Sequence, residues 1–216
     1  MTTKHATGDR RSGTIRVLTE RERQLLQDHL LRLDPQSRRD RFNGVVEDEF
    51  LIKYAAGCFG EGVVVLGYIE DGQAHAAAEL HAPQRSADET PEIAFSVERD
   101  LRRKGVGSAL FKALIDEARK AGYPRLRVTT GAQNDAMRGL ARKFGTKLTF
   151  RHGELSGSIA LDTGRRPVAP AGIAMPFAAG GGMLQAIAGL SLAFWTPVLR
   201  LYGLAPTLSE SRRKPH

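Results

Sequence analysis

The chain has 216 residues, with Lys+Arg 32 against Asp+Glu 24 and a formal net charge of +8. A hydrophobic share of 41% beside 26% charged residues excludes a wholly disordered chain and a polytopic membrane protein, and the length predicts one well-buried domain with an appended segment. The basic balance favours acidic partners, but only 6% of residues are aromatic and they do not interleave with the basic ones, so nucleic acid is not the expected partner.

Residues 1–13 are polar, with no apolar run behind Lys4, Arg10 and Arg11, which predicts a flexible N-terminus and not a secretory signal. Residues 14–18 alternate as a short strand. Thr19, with Glu22 three residues on, forms a capping box, and Leu25, Leu26, His29, Leu30 and Leu33 then follow helical spacing. Asp34-Pro35 ends that helix and starts another turn of helix, and residues 47–56 read as a third helical piece. Residues 63–69 are a β-branched run, Asp71-Gly72 a tight hairpin turn and 73–81 the returning strand. Residues 92–97 complete an antiparallel meander.

The period then changes. Residues 107–121 are an amphipathic helix stopped by Gly122 and Pro124, 126–130 a buried strand, and 134–144 a helix capped by Asn134 and stopped by Gly145. Residues 147–151 and 155–161 close the domain as a hairpin around Gly153. The order predicts an α/β (α+β) fold with a mixed central sheet of six to seven strands and flanking helices.

Between the 92–97 strand and the next helix lies Arg102-Arg103-Lys104-Gly105-Val106-Gly107-Ser108. Glycines here let backbone N–H groups approach a ligand, and the helix that follows points the positive end of its dipole outward. In physical terms this is a pyrophosphate cradle. It is neither a P-loop, which needs Lys-Ser/Thr after its second glycine, nor the three-glycine dinucleotide loop. Taken alone, the same residues also describe a tight turn beside a solvated basic run.

The surrounding order resembles the GNAT superfamily of acyl-CoA-dependent N-acyltransferases, whose hallmark after the fourth strand is Arg/Gln-x-x-Gly-x-Gly/Ala opening a helix. Arg102, Gly105 and Gly107 match it, with Val97 at the strand end, and the resemblance covers about residues 14–162. Pro91-Glu92-Ile93-Ala94-Phe95, with Ser37-Arg38-Arg39-Asp40-Arg41-Phe42 and Asp48-Glu49-Phe50-Leu51, look like bacterial Pat-type protein lysine acetyltransferase domains.

The resemblance implies acetyl-CoA as co-substrate and an amine as acceptor, either a protein lysine or a small molecule. Pantetheine would pair with the backbone of Phe95, Ser96 and Val97. The pyrophosphate would meet N–H groups of Arg103, Lys104, Gly105, Val106, Gly107 and Ser108, with Arg102 and Arg103 adding charge. Asn134 and Arg142 would face the pantetheine or adenosine side. The attacking amine must lose a proton, and Glu92 is the expected general base, with Glu79 one strand earlier as rival. One departure is Leu140-Ala141, where many family members carry Leu-Tyr and use the tyrosine as acid for the departing thiolate. A non-catalytic acyl-CoA-sensing module is therefore the alternative.

Six histidines show no ligand spacing, so no metal site is expected. Cys58 reads as a buried small hydrophobe; it cannot form an internal disulfide or a thiolate zinc site, which predicts a reducing, cytoplasmic setting. Tyr54 and Tyr123 read as packing residues. After the domain at 14–162, the sequence predicts a Gly/Pro-rich linker over 163–182, a hydrophobic helical extension over 183–204 and a basic tail over 205–216. The extension has a bulky stripe that must be covered by a partner protein, a second subunit, the domain itself or a membrane surface as a peripheral anchor, and a spanning helix is a further reading.

Overall fold

The computed structural model describes residues 13–83, 90–151 and 153–161. Strands β1 (Thr14–Val17), β2 (Val63–Glu70), β3 (Gln73–His81) and β4 (Glu92–Val97) pair antiparallel in chain order. The β2–β3 connection is the Asp71-Gly72 turn, with φ of 49° and 77°; two consecutive left-handed residues match the twist of the strands they join. Strand β5 (Arg125–Gly131) runs parallel to β4, and β7 (Glu154–Ala160) with β6 (Thr149–Arg151) completes a seven-stranded sheet in the order β1-β2-β3-β4-β5-β7-β6.

Helices α1 (Arg23–Arg32), α2 (Pro35–Phe42) and α3 (Asp48–Gly57) cover one face, with Leu26, Leu30, Phe42, Leu51 and Tyr54 packed on Val65 and Ala77. Helices α4 (Val106–Lys120) and α5 (Asp135–Lys143) cover the other, where Leu110, Phe111, Leu114 and Met137 meet Ala76, Ala78, Leu80, Ile93 and Val128. Strand β3 separates the two layers. It is buried on both faces, and its alanines at 74 and 76–78 let α1 and α4 approach closely.

The mixed sheet and the helix order match the expected fold. Boundaries differ where backbone conformation decides them. Gly105 caps α4 at φ 88°, so the helix starts at Val106 and not at 107. Glu22 accepts from the Thr19 N–H, but the residues between form a 3₁₀ turn before α1 begins at Arg23. Strand β6 is confined to 149–151, because Thr146 and Lys147 first cross over Gly157, where an added Cβ would lie 2.5 Å from the Lys147 carbonyl oxygen.

The expected 1–13 lead-in, apart from Gly13, and the 163–182, 183–204 and 205–216 segments lie outside the described residues. Among the described residues no helix is long and apolar enough to cross a membrane. Phe111 of α4 stacks between Phe95 of β4 (5.0 Å) and Phe144 at the end of α5 (4.3 Å) and is fully buried. Phe111→Ala is expected to cost about 3–5 kcal/mol of unfolding free energy, measured by urea denaturation.

Candidate active site

Strands β4 and β5 share only the pairs Glu92–Arg127 and Ile93–Val128. The Arg127 N–H donates to the Pro91 carbonyl (2.8 Å), so strand alternation turns the backbone groups of Ile93, Phe95 and Val97 toward β5 and those of Ala94 and Ser96 toward β3. Beyond Ile93 the strands separate. The Phe95 N–H and C=O therefore face a gap and not a ladder, and the gap opens into a cleft of about 530 Å³. Phe95, Ser96 and Val97 line its strand wall, Gly105, Gly107 and Ser108 its floor, and Asn134, Leu140 and Lys143 the α5 side.

The floor is built for an anion. Arg103 (φ 58°) and Gly105 (φ 88°) both take left-handed conformations, which turns the chain into α4. Ala109 N–H bonds the Gly105 carbonyl, leaving the N–H groups of Val106, Gly107 and Ser108 as the unpaired donors of the first helical turn. A Cβ at Gly105 would meet nothing within 4 Å, and one at Gly107 would only touch Leu140 and Val97 at 3.8 and 3.9 Å. Both glycines thus leave open space that a ligand can fill, at the positive end of a 15-residue helix. Lys143 adds a cation from across the cleft, its Nζ 3.0 Å from Ser108 Oγ; this residue was not singled out from sequence, because only the tertiary fold lays α5 beside the α4 N-terminus.

On the α1–α3 face, β4 presents Glu92, Ala94 and Ser96. Glu92 is half-buried near the point where the strands part, with Arg127 Nη1 3.7 Å from Oε1. Opposite it in register stands His81, and one row inward Glu79 stands opposite Ala94. Glu79 is enclosed: Arg41 Nη2 donates to Oε1 (2.8 Å), Tyr54 OH donates to Oε2, and His81 Nε2 lies 3.0 Å from Oε2. Burial works to raise the Glu79 carboxyl, but the adjacent Arg41 guanidinium, with hydrogen bonds from His81 and Tyr54, outweighs it and holds the group well below the usual carboxylate range. The Glu79 side chain is 1% exposed and its oxygens are engaged within this cluster.

An acetyltransferase (GNAT) family model matches residues 25–146. The chain belongs to this family. Among solved structures, the GNAT domain of S. lividans PAT is 19% identical over 68% of this chain and 89% of its own, with a TM-score of 0.58. YncA from Salmonella typhimurium, solved with its cofactor acetyl-CoA, is 20% identical over 74% of this chain and 99% of its own, TM-score 0.55. PaiA N-acetyltransferase from Thermoplasma acidophilum, in complex with coenzyme A, is 15% identical over 69% and 99%, TM-score 0.53.

Within this GNAT domain several expected contacts serve the chain itself. Arg102 turns back, donating from Nε to the Val97 carbonyl (3.1 Å) and from Nη2 to Ser37 Oγ, so it ties the loop to β4 and α2 while lining the cleft. Arg103 also lines the cleft, whereas Lys104 is exposed outside it and the Val106 side chain enters the core. Asn134 Oδ1 caps α5 at Met137 N–H (2.9 Å), and its Nδ2 donates to the Asp40 carbonyl (3.1 Å). Arg142 is not brought to the cleft; it lies in a separate depression with Arg138, Thr146 and Lys147. Ala141 is fully buried in the core, and among the described residues no tyrosine lines the cleft.

One reading of a single residue changes. Tyr54 is more than helix-face packing, since its hydroxyl is part of the Glu79 cluster. The alternation of β3, which puts Glu79 beside Ala77 on a buried face, was the available signal that a cation must meet it. Cys58 is buried as expected, its thiol raised by desolvation. No group of three metal-ligating side chains occurs among the described residues.

A second cluster lies beneath α1. His29 is fully buried between Ser96 Oγ (2.8 Å) and Glu98 (3.1 Å), and Glu98 also meets His75 (2.9 Å) and Arg32. Burial holds His29 below its ordinary value of 6.5; burial opposes ionisation of Glu98, but the hydrogen bonds from His29 and His75 bring it down to about 2. In both cases the unfolded chain binds the proton more readily, so stability falls as pH falls. Urea denaturation at stepped pH is expected to show a first loss below about pH 6.5 and a steeper one below about pH 4.5, the first being absent in His29→Gln.

Proposed function

We propose that this protein is an N-acetyltransferase that moves an acetyl group from acetyl-CoA to a primary amine, with Glu92 as general base. The observation that carries the reading is one cleft that combines the backbone edge at Phe95 with the first-turn N–H groups of α4 at Gly107 and Ser108, while the Glu92 carboxylate, outside the lining of that cleft, stands three residues back along β4 near where β4 and β5 part. The first would pair with pantetheine amides, the second would receive the pyrophosphate, and the third stands beside the place of the thioester. Support comes from family membership and from the same fold holding acetyl-CoA in YncA and coenzyme A in PaiA.

The chemistry follows from proton accounting. An alkylamine is mostly ammonium at neutral pH, with a pKa near ~10, and cannot attack until it loses a proton. Glu92 takes that proton, directly or through one water. The nitrogen lone pair then adds to the thioester carbonyl, the C–S bond breaks as coenzyme A leaves as a thiolate, and the second proton shed by the new amide nitrogen goes to that thiolate or to solvent; a thiol pKa of about 8.5 lets the thiolate leave without a tyrosine donor. Ala141 at the place where many family members carry a tyrosine, with no tyrosine lining the cleft among the described residues, favours the second reading, a module that binds acyl-CoA without turnover. The acceptor is a protein lysine, as the Pat-type resemblance has it, or a small amine. A reducing, cytoplasmic setting and the linker and extension over 163–204 remain part of this proposal, with the extension docking on a partner protein, a second subunit or a membrane surface.

Acetyl-CoA is expected to bind the wild-type chain in isothermal titration and to bind undetectably to Gly105→Glu/Gly107→Glu, whose carboxylates would occupy the phosphate floor. In a thiol-release assay over amines and lysine peptides, Glu92→Gln is expected to lower kcat about 100-fold or more with acetyl-CoA affinity retained. Binding without release on any acceptor would select the sensing module, and lack of binding by wild type would end the cofactor assignment.

A further inference from the structure

We infer that His81 is a second proton carrier of this site, taking the amine's proton on from Glu92 and passing it to solvent; the inference rests on the acetyltransferase reading above. His81 ends β3 and is the antiparallel partner of Glu92, so the two side chains stand on the same face with β-carbons about 5 Å apart. Its Nε2 lies 3.0 Å from Glu79 Oε2 and 3.5 Å from the Tyr54 hydroxyl. Glu79 is ionised beside Arg41, and an ionised carboxylate only accepts, so Nε2 must carry the hydrogen. A neutral ring that donates from Nε2 has its lone pair on Nδ1, which makes that nitrogen the basic atom.

This is the arrangement by which a buried carboxylate orients an imidazole for proton transfer and steadies the imidazolium that forms. The charged and titratable groups around the ring are Glu79 on its own strand, Glu92 on β4, Tyr54 and Cys58 on α3, Arg41 on α2, and Arg127 of β5 beyond Glu92. Arg41 already balances the Glu79 charge, so that pair does not need a third partner for neutrality. The side chain is 14% exposed, which leaves a way out. The steps balance as proton moves alone: ammonium to the Glu92 carboxylate, Glu92 to Nδ1, and Nδ1 to water.

A purely structural His81 would only donate to Glu79, and glutamine can do that. The test uses the full chain as wild type, His81→Gln and His81→Gly. Expected are an acetyl-CoA affinity and thermal midpoint close to wild type in His81→Gln, a kcat lower by about 10- to 100-fold with a changed pH–rate profile, and recovery of rate by added imidazole in His81→Gly. Nitrogen NMR of the wild-type chain, which needs neither turnover nor a folded variant, should show the neutral His81 ring in its Nε2–H form. Thiol release within twofold of wild type in His81→Gln, or an Nδ1–H form of His81 in the nitrogen spectrum, overturns the relay and leaves the acetyltransferase reading intact. Absence of thiol release from wild type on every acceptor overturns that reading, and the relay with it.

Discussion

Two rungs between β4 and β5 are the constraint on which the site depends. A parallel pair that continued to Val97 would seal the backbone of Phe95 into the sheet. The chain that follows β4 lies at the opening: Arg102 bonds the Val97 carbonyl and Ser37, and the N-terminus of α4 comes in at Gly107, where an added Cβ would just touch Val97 and Leu140. The edge left open costs little, because its polar groups face a hydrated cleft and not an apolar core. The stacked Phe95, Phe111 and Phe144 hold strand, helix and α5 together immediately behind it, which gives the cleft a rigid wall.

The α1–α3 face carries an unusual share of buried polarity for so small a domain. Arg41 and Glu79, with side chains 2% and 1% exposed, lie under Phe42 and Tyr54, and the Arg41 guanidinium sits over both rings at 4.7 and 5.3 Å. Removing two charges from water is costly, and an apolar pair of equal volume would often stabilise more. The arrangement makes sense as a means of holding geometry: α2, α3 and β3 are locked to one another at the row of the sheet next to Glu92, with His81 between them. The His29–Glu98 cluster does the same for α1 and the end of β4. Charge along β3 and β4 is thus organised from two sides, and Arg41 of the first cluster also lines the cleft.

Much of the domain was legible in one dimension. Helix and strand periods, the Asp71-Gly72 turn, Asn134 as a cap and the Arg102–Gly105–Gly107 spacing are local signals, set by φ preferences and by which side chains must be buried together. They are sufficient for the order of elements, the mixed sheet and the glycine floor of the cleft. Glu92 was singled out by its place on the strand next to that floor and by the family resemblance, with Glu79 as its rival one strand earlier.

The surroundings of those two glutamates differ only in three dimensions, Glu79 being enclosed and Glu92 half-buried beside Arg127. Whether a carboxylate is enclosed or faces a cleft depends on what the α1–α3 layer places over it, and Arg41 reaches Glu79 across 38 positions of chain. Arg102 likewise reads as one of three basic residues beside a phosphate floor, yet its donors go to Val97 and Ser37, while Lys143, far along the chain, comes to Ser108. Arg142 falls on the other side of α5 by one step of helical rotation. Sequence therefore determined the elements and the backbone cradle, which are short-range consequences of glycine, proline and apolar spacing. Tertiary packing alone decided which charges are spent on the fold and which remain for a ligand, because Coulomb partners are chosen by distance in space.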